Sequence, residues 1–330
     1  MKYNVLSLGP ARMDVFIKLP DVDVDEVCSI DRKRCVIELG FGEKIAVRGV
    51  EFAVGGNTGN NAVGLSRLGY KAAMIGSMGD SWTDNRALEI LKSENVETKY
   101  VTQVPEQSGF GVVINYQEER TILSYYPTAA DGFKVDNDTQ ADWMYLTTAG
   151  EDFELFYKQA VEWAVNHGTK IAFNPGTRQI KVGVEKLRFA YESTEVLFVN
   201  REEATALLRA NLKSQIPNPK ELLLGLRELG PKIVIITDGP EGTYCFDGQK
   251  YLHMPIVEAP VVERTGAGDA FGSGFLAAYM QNKPLEECLK WGTANSASVL
   301  GYIGPQAGLL NKDKMNEWLL KAESVKVEEQ

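Results

Sequence analysis

The stretch Glu263-Arg264-Thr265-Gly266-Ala267-Gly268-Asp269-Ala270-Phe271-Gly272-Ser273-Gly274 reads as a glycine-rich turn that opens a helix, entered from an extended segment at 256–262. The first N–H groups of a helix have no internal partner, and the helix dipole favours an anion there. Gly266 and Gly268 let the backbone come close to such an anion, and Asp269 falls in the first turn, where a carboxylate keeps its charge. A carboxylate beside a phosphate-binding turn can take the proton of an alcohol while the N–H groups hold charge developing on a transferred phosphoryl group. The plainer alternative is a helix-start acid whose glycines serve packing, and for Gly272 and Gly274 that is the reading adopted. The spacing Gly266-x-Gly268-x-x-x-Gly272 misses the dinucleotide fingerprint by one residue, and Asp269 would repel a pyrophosphate.

Around this stretch, short apolar runs alternate with amphipathic ones. Strands are expected at 72–75, 143–146, 171–173, 196–199 and 233–236. Helices are expected at 85–93, 153–166 (stopped by Gly168), 201–209, 219–229, 267–280, 285–300 and 312–322. The run 233–236 is almost wholly apolar, as in a sheet covered on both faces. Such alternation predicts a mostly parallel sheet flanked by helices. Residues 34–54 and 110–126 break the rhythm, being strand-like with turn signals and no helical period. They are expected to form a separate small sheet, either a lid over a site or a hairpin covering a sheet edge.

Three further segments carry candidate side chains. In Gly55-Gly56-Asn57-Thr58-Gly59-Asn60-Asn61, the paired glycines permit close approach of a ligand, and the asparagines suit hydroxyl groups or a helix cap. Asn200 and Glu203 follow a strand and share a face, so their oxygens suit Mg²⁺ through water, or equally a capping box. Thr237-Asp238-Gly239-Pro240-Glu241-Gly242 would cover nucleotide phosphates or be a tight turn. No Gly-x-x-x-x-Gly-Lys-Ser/Thr run occurs, which excludes a P-loop protein.

The 330 residues carry a formal net charge of -10, which argues against nucleic acid or an anionic membrane as partner. Hydrophobic residues at 44% and charged residues at 24% indicate a globular chain with a large core. No apolar run is long enough to span a bilayer, and the N-terminus lacks the pattern of an export signal, so a cytoplasmic protein is expected. The four cysteines (Cys28, Cys35, Cys245, Cys288) form no Cys-x-x-Cys pair and are expected to be free thiols rather than zinc ligands.

Taken in order, these elements resemble the PfkB family of carbohydrate kinases, also called ribokinase-like, over nearly the whole chain. The most specific piece is Thr265-Gly266-Ala267-Gly268-Asp269 opening a helix, followed by Gly55-Gly56 with Asn60. The resemblance implies one ribokinase-like α/β domain over 1–330, with a mostly parallel central sheet and a β-sheet lid formed by about 15–54 and 108–128. It implies an ATP-dependent kinase that phosphorylates a hydroxyl of a small sugar or sugar-like acceptor, with Mg²⁺ and a homodimer through the lid. Asp269 would be the catalytic base, and Gly266, Ala267 and Gly268 the anion hole. Asp14, Gly55, Gly56 and Asn60 would hold the acceptor. Asn200, Thr237, Gly239, Gly242 and Asn295 would contact the nucleotide, and Asn200 and Glu203 match the Asn-x-x-Glu motif tied to Mg²⁺. Glu263 and Arg264 replace the usual Asp-Thr, which leaves a monovalent cation open. Asn57 and Thr58 replace the Lys-Gly of ribokinases, so ribose is not implied. A nucleoside kinase of the same family, a non-catalytic binding regulator on this fold and, more remotely, a dinucleotide oxidoreductase stand as alternatives; the intact 265–269 motif speaks against the regulator.

Overall fold

Strands such as Thr194–Asn200 and Ile233–Thr237 are apolar on both faces because helices cover the sheet on both sides. The computed structural model describes residues 1–21, 24–29, 35–117, 119–125, 132–150, 152–209 and 217–329. The parts of the expected lid at 22–23, 30–34, 118 and 126–128 lie outside the described residues.

The central sheet has ten strands in the order Glu328–Glu329, Tyr251–Met254, Thr243–Phe246, Ile233–Thr237, Thr194–Asn200, Lys170–Phe173, Gln140–Leu146, Lys2–Leu8, Ala72–Met78, Glu97–Gln103. From Ile233–Thr237 to Glu97–Gln103 every pairing is parallel. The strands beyond Ile233–Thr237 pair antiparallel. One face packs on helices Phe153–His167, Arg201–Leu208 and Pro219–Arg227 through Tyr157, Leu207 and Leu222. The other packs on Asn57–Arg67, Ala267–Tyr279, Leu285–Leu300 and Lys312–Ala322 through Leu65, Phe275, Leu289 and Met315. Helix ends follow local chemistry. Gly168 closes Phe153–His167 in the left-handed conformation, and Asn218 caps Pro219–Arg227 with proline in the first turn.

A second sheet, in the order Gly49–Gly55, Arg12–Lys18, Phe110–Tyr116, Glu119–Tyr125, stands apart from the first. Its outer pairings are antiparallel and its middle pairing parallel. Strand alternation places Arg12, Asp14, Phe16, Gly111, Val113, Arg120, Ile122 and Ser124 on one face. Val50, Phe52, Leu123 and Tyr125, all exposed, lie on the opposite face.

Two expectations are corrected. The strand-like excursions do not make a single sheet, because Cys35–Glu38 pairs with Asp25–Cys28 in a hairpin of its own. Cys28 and Cys35, expected as free thiols, form a disulfide across that hairpin; they sit opposite each other in its register, where side chains from neighbouring strands meet. Cys245 and Cys288 are free and buried. The segment 256–262, read as extended, is irregular, and residues 256–261 line a cavity.

Candidate active site

The C-terminal ends of the parallel strands converge on one region, the usual ligand side of an open α/β sheet. Asn200 ends one strand, Thr237 the next in parallel register with it, and Asn174 follows a third. Onto this edge the turn at 264–266 delivers helix Ala267–Tyr279. Gly266 caps the helix with φ 82°, and a Cβ there would lie 2.3 Å from the Pro305 side chain, so the turn admits only glycine. No atom lies within 4 Å of where a Cβ on Gly268 would sit, so the turn faces open space at that point. The Ala267 N–H makes a long bond of 3.4 Å to the Arg264 carbonyl.

Asp269 is buried in the first turn. Its Oδ2 accepts a 2.8 Å hydrogen bond from Asn60 Nδ2, and the Asn60 amide is held in turn by Gln306 Nε2, which donates to Asn60 Oδ1 at 3.1 Å. Burial pushes the Asp269 carboxyl up to about 6, against the lowering effect of hydrogen bonds from Asn60 and Asn57. The side chain is therefore both oriented and poised to accept a proton near neutral pH. Asn57 and Asn60 reach Asp269 because Gly56, with φ 92°, starts helix Asn57–Arg67 directly after the lid strand Gly49–Gly55.

Asp14 sits on the body-facing side of the lid sheet, buried. Arg12 Nε donates to its Oδ1 at 2.7 Å, and Arg12 Nη2 donates to Ser124 Oγ at 3.1 Å. Two glycines make room for the carboxylate: a Cβ on Gly55 would lie 2.0 Å from Oδ2, and one on Gly111 2.1 Å from Oδ1. Burial raises the Asp14 pKa, and the Arg12 guanidinium only partly offsets this.

Asn200 and Glu203 form a capping box, with Glu203 N–H donating to Asn200 Oδ1 at 2.8 Å and Asn200 N–H to Glu203 Oε2 at 2.9 Å. The Glu203 carboxyl is nevertheless pushed up to about 7, by burial first and then, against the Asn200 hydrogen bond, by the negative Asp269. The same two carboxylates, after burial, push up the Tyr145 hydroxyl. Burial raises both acids, and the Asp269 charge adds to the rise at Glu203, which a nearby cation would offset. Oxygen donors of this kind fit Mg²⁺ held through water, with Glu203 as the charged member, since Asn200 Oδ1 is already occupied.

A cavity of about 660 Å³ opens beside the turn, lined by Gly239, Val257, Pro260, Ala267, Thr293 and Ala297 among others. It brings the Gly239 turn and Ala267, at the start of the helix that carries Asp269, to one wall. Thr237 ends the strand at its edge, while Gly242 is structural: a Cβ there would lie 2.3 Å from the Met254 carbonyl oxygen. Asn295 does not line this cavity. Thr293, Ser296, Ala297 and Leu300 form the lining face of helix Leu285–Leu300, and Asn295 points to the other side. There its amide donates to Ala270 O and Ser273 Oγ and accepts from Leu310 N–H, with no exposed surface left. Gly272 and Gly274 serve packing, as expected, against the Tyr145 hydroxyl and the Trp291 carbonyl.

Several residues of this site escaped the sequence reading. Arg12 lies two positions before Asp14, so strand alternation places it on the same face, and a glycine inside a strand, Gly111, marks close approach. Gln306 lies in a loop and carries no signal. Asn174 accepts from Asn57 Nδ2 at 3.3 Å and donates to Phe198 O at 2.8 Å.

The chain is 27% identical over 252 residues to a protein described as an uncharacterized sugar kinase of Archaeoglobus fulgidus, covering 75% of this chain and 98% of that one. It is 25% identical over 261 residues to a nucleoside kinase of Methanothermobacter thermautotrophicus, covering 77% and 81%. The ribokinase of Arabidopsis thaliana, solved with ribose and ATP, superposes with a TM-score of 0.78 at 20% identity over 97% of this chain and 99% of that one. Residues 22–312 match the pfkB family carbohydrate kinase description, and the chain belongs to that family.

Proposed function

We propose that this kinase transfers the terminal phosphoryl group of ATP to a hydroxyl of a small sugar or sugar-like acceptor, with Asp269 as the base. The observation that carries the reading is a buried carboxylate oriented by Asn60, with a pKa raised to about 6, in the first turn of a helix that begins at a glycine turn with open space beside Gly268. Asp269 takes the hydroxyl proton as the acceptor oxygen bonds to the terminal phosphorus. The bond to the bridging oxygen breaks and ADP leaves. Gly266, Ala267 and Gly268 hold the charge that develops on the phosphoryl oxygens. Asp14, Gly55, Gly56 and Asn60 position the acceptor. Thr237, Gly239 and the apolar cavity take the nucleotide. Asn200 and Glu203 would hold Mg²⁺ through water, and the ion supplies charge neutralisation between the phosphates when bound.

A nucleoside acceptor is favoured by one feature. Ile122 stands on the same lid face as Asp14 and is 42% exposed, an apolar surface suited to a base. An ADP-release screen over ribose, fructose, 2-keto-3-deoxygluconate, sugar phosphates and nucleosides tests both readings. Release above the acceptor-free rate is expected with at least one acceptor. Failure with all of them would remove the acceptor assignment.

A further inference from the structure

Across the gap between the lid and the catalytic turn lie two neighbouring ion contacts. Arg120 Nε stands 3.6 Å from Glu263 Oε1, and Glu119 Oε1 stands 3.6 Å from Arg264 Nη1. Two adjacent residues of lid strand Glu119–Tyr125 thus meet the two residues that precede Thr265, with the charges reversed from one pair to the next. The second pair is open to solvent and weak. The first is different. Glu263 is only 3% exposed, and its Oε2 has no hydrogen-bond partner. Its Oε1 accepts from the Thr265 N–H at 2.8 Å and from the Thr265 hydroxyl at 2.5 Å. Thr265 precedes Gly266, the cap of the helix that carries Asp269. A buried carboxylate with one vacant oxygen is costly unless a cation is close, and the nearest described one belongs to the lid.

We propose that Arg120 and Glu263 are a positioning pair that couples the lid to the anion-binding turn, so that the turn is held in its phosphate-binding geometry only while Arg120 is seated. Arg120 touches no reacting atom in this scheme. It acts through Glu263 and Thr265 on the peptides at 266–268. At 3.6 Å the Arg120 Nε and Glu263 Oε1 are too far apart for a hydrogen bond, and a small inward shift of the lid strand would bring them within reach of one. The same shift moves the Asp14 face of the sheet, because Ser124, on the same strand as Arg120, accepts from Arg12, the partner of Asp14. Acceptor seating and phosphate seating are thereby linked through one strand. The inference rests on the kinase reading for its catalytic consequence but not for its structural one.

Amide hydrogen exchange and ADP release on wild type, Arg120→Met, Arg120→Lys and Glu263→Gln test it together. Arg120→Met is expected to speed exchange at 264–268, in the body, by roughly tenfold, within the usual span of a coupling between two sites. It should lower kcat by a similar factor while the KM for ATP changes less, and Arg120→Lys should recover part of both. In Glu263→Gln the further substitution Arg120→Met should add little, since the coupling is already broken. Exchange at 264–268 unchanged from wild type in both Arg120→Met and Glu263→Gln would overturn the pair. Should wild type release no ADP with any acceptor, the kinase reading fails instead, and the exchange data still decide whether lid and turn are coupled.

Discussion

Asp269, the proposed base, shows what a buried carboxylate costs the fold. Its pKa in the folded chain is about 6 against an ordinary 3.8, so the unfolded chain gives up its proton at lower pH than the folded one. Stability therefore falls as pH rises through that interval and levels off above it. Asp269→Asn removes the buried charge, and its melting temperature is expected to exceed that of wild type near pH 8, with the difference shrinking below about pH 4. Turnover of the same variant should drop roughly 10²–10⁴-fold, the range for a lost general base. MgATP should still raise its melting temperature. Near-normal ADP release by this variant would return Asp269 to the role of a helix-start acid. For wild type, kcat/KM should fall on the acid side with an apparent pKa between the values of about 6 and about 7 set by Asp269 and Glu203. Because these two carboxylates feel each other, the limb belongs to the pair. A pH profile flat down to pH 5 would contradict it.

At the scale of single elements, the start of helix Arg201–Leu208 can be dissected. Its capping box and its proposed metal role use the same two residues, but the two roles respond to different substitutions. Asn200→Ala removes the cap and should cost about 1 kcal/mol in a urea melt. Glu203→Gln keeps a box-competent side chain, since glutamine also reaches back to the cap N–H. Its melt should stay close to wild type while the Mg²⁺ needed for half-maximal ADP release rises. An unmoved Mg²⁺ titration would leave capping as the whole of its function. The lid strand Phe110–Tyr116 offers a second case. A Cβ at Gly111 would lie 2.1 Å from Asp14 Oδ1, so Gly111→Ala must displace that carboxylate. A shift of this size should lower kcat/KM for the acceptor by roughly 10²-fold while MgATP binding holds. Equal losses toward both substrates would point to general disruption of the lid.

Across the whole molecule, the lid sheet presents two unlike faces. One carries Asp14 and Arg120, and the other exposes Val50, Phe52, Leu123 and Tyr125. Exposed apolar side chains on both edge strands of this sheet suit a second copy of the chain, as in the homodimer the family resemblance implies. Sedimentation should show wild type as a dimer and Leu123→Asp shifted to monomer. A monomeric wild type at micromolar concentration would end that proposal. Among the described residues, no helix is long and apolar enough to cross a membrane.

The period of the chain determined the sheet and its helices, because apolar runs such as 233–236 and the helical spacing of 267–280 leave few ways to bury themselves. The proposed anion-binding turn was legible for the same local reason: glycines at 266 and 268 and an acid at 269 express their chemistry within one helical turn. Tertiary structure decided what depends on distant partners. Gln306 orients Asn60 from the far end of the chain, Gly111 vacates space for Asp14, and Glu263 meets Arg120 across the lid. Asn295 and the pair Cys28–Cys35 show the converse, since helix rotation turned the first away from the cavity and hairpin register brought the second together. Sequence spacing measures neighbours along one element; which side chains share a site is set by how the elements pack, and that is a property of the folded chain alone.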